Sequence, residues 1–192
     1  MTIKRTQGKM TLRQHLDNLD QNGRASGPEM ISLHRRVKKI FRGLGYINTA
    51  KNDWLITKYI HMIFETQDYR CTHWLQTKGD ELNGLWNRPG AGYWGWKKHK
   101  VQYEIDHVHP INAGGQDDLK NFQFLCANAN QFVKCSLTYD DLLKRIDLSD
   151  ILKDRIRDVL RRREELFASE KWAEFVKEIN RIDGRTAIKR AA

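Results

Sequence analysis

The chain has 192 residues, 40 % apolar and 10 % aromatic, which suits one ordinary domain, or a small domain with helical extensions, and excludes wholesale disorder. Its formal charge of +10 and pI near 9.6 point to a polyanionic partner, nucleic acid first and an anionic membrane surface second. No apolar stretch approaches the roughly 20 residues that cross a bilayer, MTIKRTQGKM lacks the hydrophobic core of a secretory signal, and three cysteines (Cys71, Cys126, Cys135) cannot build a disulfide framework, so a reducing cytoplasm is the expected setting.

Residues 1–60 carry most of the excess charge, 12 Lys/Arg against 4 Asp/Glu. TLRQHLDNLD places Leu12, Leu16 and Leu19 on one face of a first helix. After NGRASGPEM, Pro28 suits the first turn of a second helix. There Met30, Leu33, Val37, Ile40, Phe41 and Leu44 recur at helical spacing, and Arg35, Arg36, Lys38, Lys39 and Arg42 crowd the other faces, an uncompensated basic surface suited to a DNA backbone. GLGY stops it. A third helix is predicted from about Asn52 to Gln67, with Leu55, Tyr59, Ile63 and Trp54 turned inward. His15, His34, His61 and His99 belong to no constellation and read as surface or amphipathic positions.

The character changes after residue 67. YRCTHWLQ suggests a short strand or knuckle, and a Gly- and Trp-rich segment follows. In it Trp86, Tyr93, Trp94 and Trp96 neighbour Lys97, Lys98 and Lys100; such side chains can stack on bases and hold phosphates, or simply anchor a loop. VQYEIDHV alternates as a strand, NAGGQDD is a loop, FQFLC is a second strand, and ANANQFVKC opens a helix. Further on, Thr138 with Asp141 resembles a capping box. Ser149 can cap a helix carrying Ile151, Leu152, Ile156, Val159 and Leu160, and Ser169 one carrying Trp172, Phe175, Val176 and Ile179. The arginines of RDVLRRREE are offset by neighbouring acids and read as a solvated face. The predicted division is a basic helical region over 1–67, a central unit over 68–136 and a helical region over 137–192.

The chemistry concentrates in EIDHVHPINAGGQDDLKNFQFLCANAN. A histidine can deprotonate water near neutral pH, and a hard divalent cation held by carboxylate and amide oxygens can stabilise charge on a phosphate and its leaving 3′ oxygen. Asp106 and His107 are adjacent on a strand and point to opposite sides, so they can flank one phosphate only if a turn redirects one of them. Pro110 and Gly114-Gly115 supply that turn, and Asn130 can swing an amide oxygen toward Asp106 if its helix packs across the hairpin.

The Asp106-His107 pair, Pro110, Gly114-Gly115, Asp118-Leu119-Lys120-Asn121, the strand from Phe122 to Cys126, and Asn130 together resemble the HNH endonuclease family, closely over 104–130 and loosely over 68–134. The resemblance implies an α+β fold, here a mostly helical chain around a central ββα-metal core. His107 would be the general base, and Asn121 would fasten the loop that aims it. Asp106 and Asn130 would hold Mg²⁺ or a similar ion such as Mn²⁺, an HNN variant. Lys134 falls where the family often has a basic residue, suggesting a phosphate contact, and His109 is a further candidate for metal or DNA. The CxxC pairs of zinc-binding members are incomplete, since Trp74 and Ala129 stand at the second positions; no structural zinc is expected, and Cys71 is expected to pack against Cys126.

The implied function is a metal-dependent endonuclease acting on double-stranded DNA, of restriction, homing or phage type, leaving 5′-phosphate and 3′-hydroxyl ends. The alternative is a nucleic-acid-binding protein that keeps the scaffold without catalysis, and RNA is a further substrate that the same chemistry would serve. No membrane partner is expected. A double-strand cutter with one site per chain would need two successive nicks or two copies, so a homodimer is one expected form.

Overall fold

A computed structural model describes residues 27–68, 71–73, 103–126 and 129–185, with the backbone alone at 27–30, 126, 131 and 132. The first predicted helix, the Trp-rich segment with Lys97, Lys98 and Lys100, and all of the expected knuckle but Cys71–His73 lie outside the described residues. Within them the fold is α+β: five α-helices surround one antiparallel two-stranded sheet.

Helix α1 (Gly27–Gly43) forms where the sequence predicts it, with Leu33, Val37 and Phe41 one turn apart and fully buried. It ends in a Schellman-type turn: Gly45 adopts φ +80°, the Tyr46 amide donates to the Phe41 carbonyl, and the Gly45 amide donates to Arg42. His34 is buried on this helix, correcting its expected surface position; its Nε2 sits 3.3 Å from the Asp53 carbonyl, and burial holds its pKa below the usual histidine value.

Helix α2 (Asp53–Thr66) is capped by Asn52, whose side chain accepts from the Leu55 amide. It is the central helix, with Leu55, Ile56, Tyr59, Ile60, Ile63 and Phe64 all buried. Trp54, predicted to face inward, is 56 % exposed. At 100° per residue it shares a strip with Lys58, His61 and Glu65, the side of α2 that no other helix covers completely.

The hairpin follows. Strand β1 (Tyr103–His107) pairs with β2 (Phe122–Cys126), with Asp106 opposite Gln123 and His107 opposite Phe122. The expected helix after β2 is one short π-helical segment, Ala129–Lys134, closed by the Cys135 amide on the Asn130 carbonyl. The ββ part of the expected core is therefore present, while its third element is six residues of π-helix.

Helix α3 (Tyr139–Lys144) begins at Thr138, whose Oγ1 accepts from the Asp141 amide at 3.1 Å. Helix α4 (Asp150–Ala168) is capped by Ser149, and Ser169 caps α5 (Glu170–Ile182) while its hydroxyl donates to the Leu166 carbonyl at the end of α4. The predicted solvated face of α4 needs one correction. Arg163 is only 3 % exposed, because its guanidinium donates to the Lys120 and Phe122 carbonyls, both at 2.8 Å.

The principal core joins α1, α2, β2 and α5 through Phe41, Tyr59, Phe64, Phe124, Trp172 and Phe175. A second cluster around Leu142, Leu152 and Ile156 packs α3 and α4 beside Val133. The hairpin is thus held between two apolar clusters, with its loop turned to solvent. Among the described residues no helix is long and apolar enough to cross a membrane.

Candidate functional site

Strand alternation sorts the site residues onto two faces. Glu104 and Asp106 share one side of β1, and His107 takes the other. On the first side the Asp106 carboxylate accepts from the Gln123 side chain at 2.9 Å and from the His107 backbone amide. Burial pushes the Asp106 carboxyl above its ordinary pKa, a shift opposed by the Gln123 hydrogen bond and by the nearby Lys134 and His107. Gln123 is itself fixed, accepting from the Tyr139 hydroxyl at 2.7 Å.

Asn130 reaches the same side of the hairpin from the π-helical segment, but its amide nitrogen donates to the Glu104 carboxylate at 2.8 Å. The expected approach of Asn130 to Asp106 thus takes a different form: Glu104, two residues upstream, receives the amide nitrogen. A carboxylate can accept only from the NH₂ end of a carboxamide, so this bond turns the Asn130 oxygen away from Glu104.

The donors gathered on this side are two carboxylates and one carboxamide, all oxygen, a set that suits a hard divalent cation. The elevated Asp106 carboxyl agrees with that fit, because a cation would offset the charge that burial penalises. Among the described residues no three His, Cys, Asp or Glu side chains cluster as a metal site.

Lys134 is fully buried, with its ammonium donating to the Leu137 carbonyl and lying 5.2 Å from the Tyr139 ring centroid. The phosphate contact expected of it would require a surface position that it does not occupy. Its charge instead faces inward, toward Asp106.

On the other face, the His107 ring lies 4.9 Å from the Phe122 ring and its Nε2 is 2.7 Å from an Asp117 oxygen. If that contact is an N–H donated to the carboxylate, Nδ1 is left as the basic nitrogen. The loop between the strands is held by Asn121. Its oxygen accepts from the His109 amide at 2.8 Å, and its nitrogen donates to the His109 and Gln116 carbonyls at 2.9 and 2.8 Å. Gly114 takes φ +92°, and a Cβ on Gly115 would stand 2.0 Å from the His109 carbonyl oxygen, so both glycines are required by the turn. His109 is exposed and its ring bonds the Ala113 carbonyl, which ties it to the loop.

Two side chains from outside the hairpin brace this loop through three carbonyls. The Tyr59 hydroxyl donates to Leu119, and Arg163 takes the next carbonyl, Lys120, and that of Phe122. These braces, together with Glu104 and Asp117, were not singled out from the sequence. Glu104 could have been found by its i, i+2 relation to Asp106. The braces carry no local signal, since Tyr59 and Arg163 arrive from distant helices.

The basic residues of α1 divide. Arg35, Lys39 and Arg42 are exposed. Arg36 is half-buried and donates to the Tyr103 carbonyl, and Lys38 pairs with Asp53. Cys71 and His73 are buried; the side chain of Cys126, the expected neighbour of Cys71, lies outside the described residues. His73 lies 3.3 Å from the Tyr139 hydroxyl, beside the support for Gln123 and Asp106.

Residues 93–132 match the HNH endonuclease family, which takes in the hairpin, its loop and the start of the π-helical segment. That match supports a nuclease-family function for the segment that carries Asp106, His107, Asn121 and Asn130. No curated protein and no solved structure matches the chain.

Proposed function

We propose that the protein is a metal-dependent endonuclease that hydrolyses phosphodiester bonds in double-stranded DNA, leaving 5′-phosphate and 3′-hydroxyl ends. The observation that carries this reading is that the segment matching the HNH endonuclease family holds both an all-oxygen group, Asp106, Glu104 and Asn130, and an imidazole paired with Asp117, even though β1 sends Asp106 and His107 to opposite faces and the Gly114-Gly115 turn does not redirect either.

His107 acts as the general base, taking a proton from water at Nδ1 while Asp117 holds Nε2–H and fixes the tautomer. Asn121 keeps the His107 loop in place through its three backbone bonds. Asp106 and Asn130 hold Mg²⁺ or Mn²⁺, with Glu104 orienting the Asn130 carboxamide so that its oxygen is available. The bound cation supplies charge neutralisation at the phosphate and at the leaving 3′ oxygen. Arg35, Lys39 and Arg42 contribute backbone contacts from α1.

The test is plasmid cleavage with Mg²⁺ alongside duplex binding. His107→Ala is expected to abolish cleavage and keep binding, because the base is lost while the charge footprint remains. Asn130→Ala is expected to raise the Mg²⁺ concentration needed for half-maximal cleavage. A wild-type chain that shifts DNA without cutting it would be a binder only, and cleavage confined to RNA would change the substrate. Full activity in His107→Ala would remove that residue as the base.

A further inference from the structure

Beside the HNH loop, α5 lines an open cleft of about 590 Å³. Its floor is apolar, from Trp172 and Val176, and its rim carries Lys120, Lys177, Arg181 and Arg185. No Asp or Glu lines it. Lys177 and Arg181 are exposed, four residues apart on α5, and take part in no ion pair among the described residues. Two nearby carboxylates are engaged elsewhere: Glu178 pairs with Lys58, and Asp183 accepts from Thr49 and the Asn48 amide. Lys120 adjoins Asn121, so the rim begins at the loop that follows the candidate base. Arg185, held by the Leu44 carbonyl and stacked 3.8 Å over the Tyr46 ring, marks the far end.

We propose that this cleft binds the sugar-phosphate backbone of duplex DNA, flanking the phosphate that is cut; this rests on the nuclease reading. Charge complementarity selects the occupant. All four cations line this one cleft and no carboxylate does, which suits a run of backbone phosphates. One helical turn separates Lys177 from Arg181 by about 6 Å, and one strand of a duplex carries a phosphate every ~3.4 Å of its axis, so the two cations can reach different phosphates of one strand. α1 is the other basic surface, with Arg35, Lys39 and Arg42 exposed and Arg36 and Lys38 engaged with Tyr103 and Asp53. The α5 cleft supplies the footprint next to the hairpin.

The experiment measures binding of a non-specific duplex to the full chain by fluorescence anisotropy across a KCl series. Lys177→Glu/Arg181→Glu is compared with a charge-matched control, Lys144→Glu/Arg157→Glu, on α3 and α4. The cleft variant is expected to lose at least about tenfold in affinity and to flatten the slope of log K against log salt by about 2, with the control affected less. Both cleft residues are exposed, so the thermal midpoint should hold; Lys177→Gln/Arg181→Gln provides a milder variant if it does not, and is expected to weaken binding in the same direction. Equal weakening in variant and control would show only net charge and would overturn the proposal, as would unchanged binding in both cleft variants, or a wild-type chain that does not bind the duplex. Plasmid cleavage is scored separately. Binding lost on mutating the cleft in a chain that never cuts would refute the nuclease and keep the cleft; unchanged binding in a chain that cuts would do the reverse.

Discussion

The contact between His107 and Asp117 is the most informative pair in the protein. An imidazole on an exposed strand end rotates freely unless something holds it, and here the Phe122 ring limits one side while Asp117 holds Nε2. Asp117→Asn keeps the size of the side chain but removes its charge and allows the ring to settle in either tautomer. We expect kcat to fall roughly 10–100-fold with KM nearly unchanged, measured on a short duplex under saturating Mg²⁺. Full-rate cleavage by Asp117→Asn would show that this contact does not hold the base. A second residue-scale consequence concerns acid stability. Burial holds the His73 imidazole down to about 3, far below its value in an unfolded chain. Its folded pKa is depressed, so unfolding takes up a proton between about pH 6 and pH 3, and stability falls as pH falls through that window by on the order of 1 kcal/mol per pH unit. Urea midpoints from pH 7 to pH 4 should show the slope. His73→Asn should flatten it while starting from lower stability, because the packing against Tyr139 is weakened.

At the scale of elements, what is local in cause was readable in the sequence. Thr138, Ser149 and Ser169 cap helices because a side-chain oxygen meets an amide three residues on, a relation visible in one dimension. The apolar run Phe122–Cys126 and the Gly114-Gly115 turn are local in the same sense. Burial of a long cation is a different matter. Lys134 and Arg163 are charged residues that composition assigns to the surface, and they lie inside because Lys134 meets the Leu137 carbonyl and the charge of Asp106 while Arg163 meets the Lys120 and Phe122 carbonyls. Trp54 errs the other way, since the buried arc of α2 is set by which helices pack on it. Glu104 was overlooked because its partner, Asn130, is distant in sequence and close only once the π-helical segment folds over the strand. Arg163 illustrates how much one such contact carries. It joins α4 to both sides of Asn121, and burial lowers its pKa to about 10. Arg163→Leu should cost about 1–3 kcal/mol in urea unfolding, because two carbonyls lose their donor. Cleavage should fall more than the change in folded fraction explains, as the Asn121 loop loosens. A stable variant with wild-type turnover would show that Asn121 and Tyr59 suffice.

Across the whole molecule, the HNH hairpin owns little of its core. Two five-residue strands cannot stand alone, and Phe124 is covered by Phe64 of α2, which in turn belongs to the cluster containing Trp172 and Phe175 of α5. Helices from both ends of the chain are therefore part of what holds the hairpin together. They also close its borders. Phe124 sends both backbone groups outward from β2, and the Gln67 carboxamide meets them, accepting from its N–H at 3.2 Å and donating to its C=O at 2.7 Å. Tyr103, on the outer border of β1, has its carbonyl taken by Arg36. Each side chain stands where a further strand would otherwise dock, which makes the sheet a poor template for another copy of itself. Gln67→Ala would uncover one border, and concentrated samples should then self-associate beyond wild type with a rise in intermolecular β-signal by infrared spectroscopy, while dilute samples match wild type by light scattering. One amide and one guanidinium thereby stand between this short sheet and edge-to-edge growth with its neighbours.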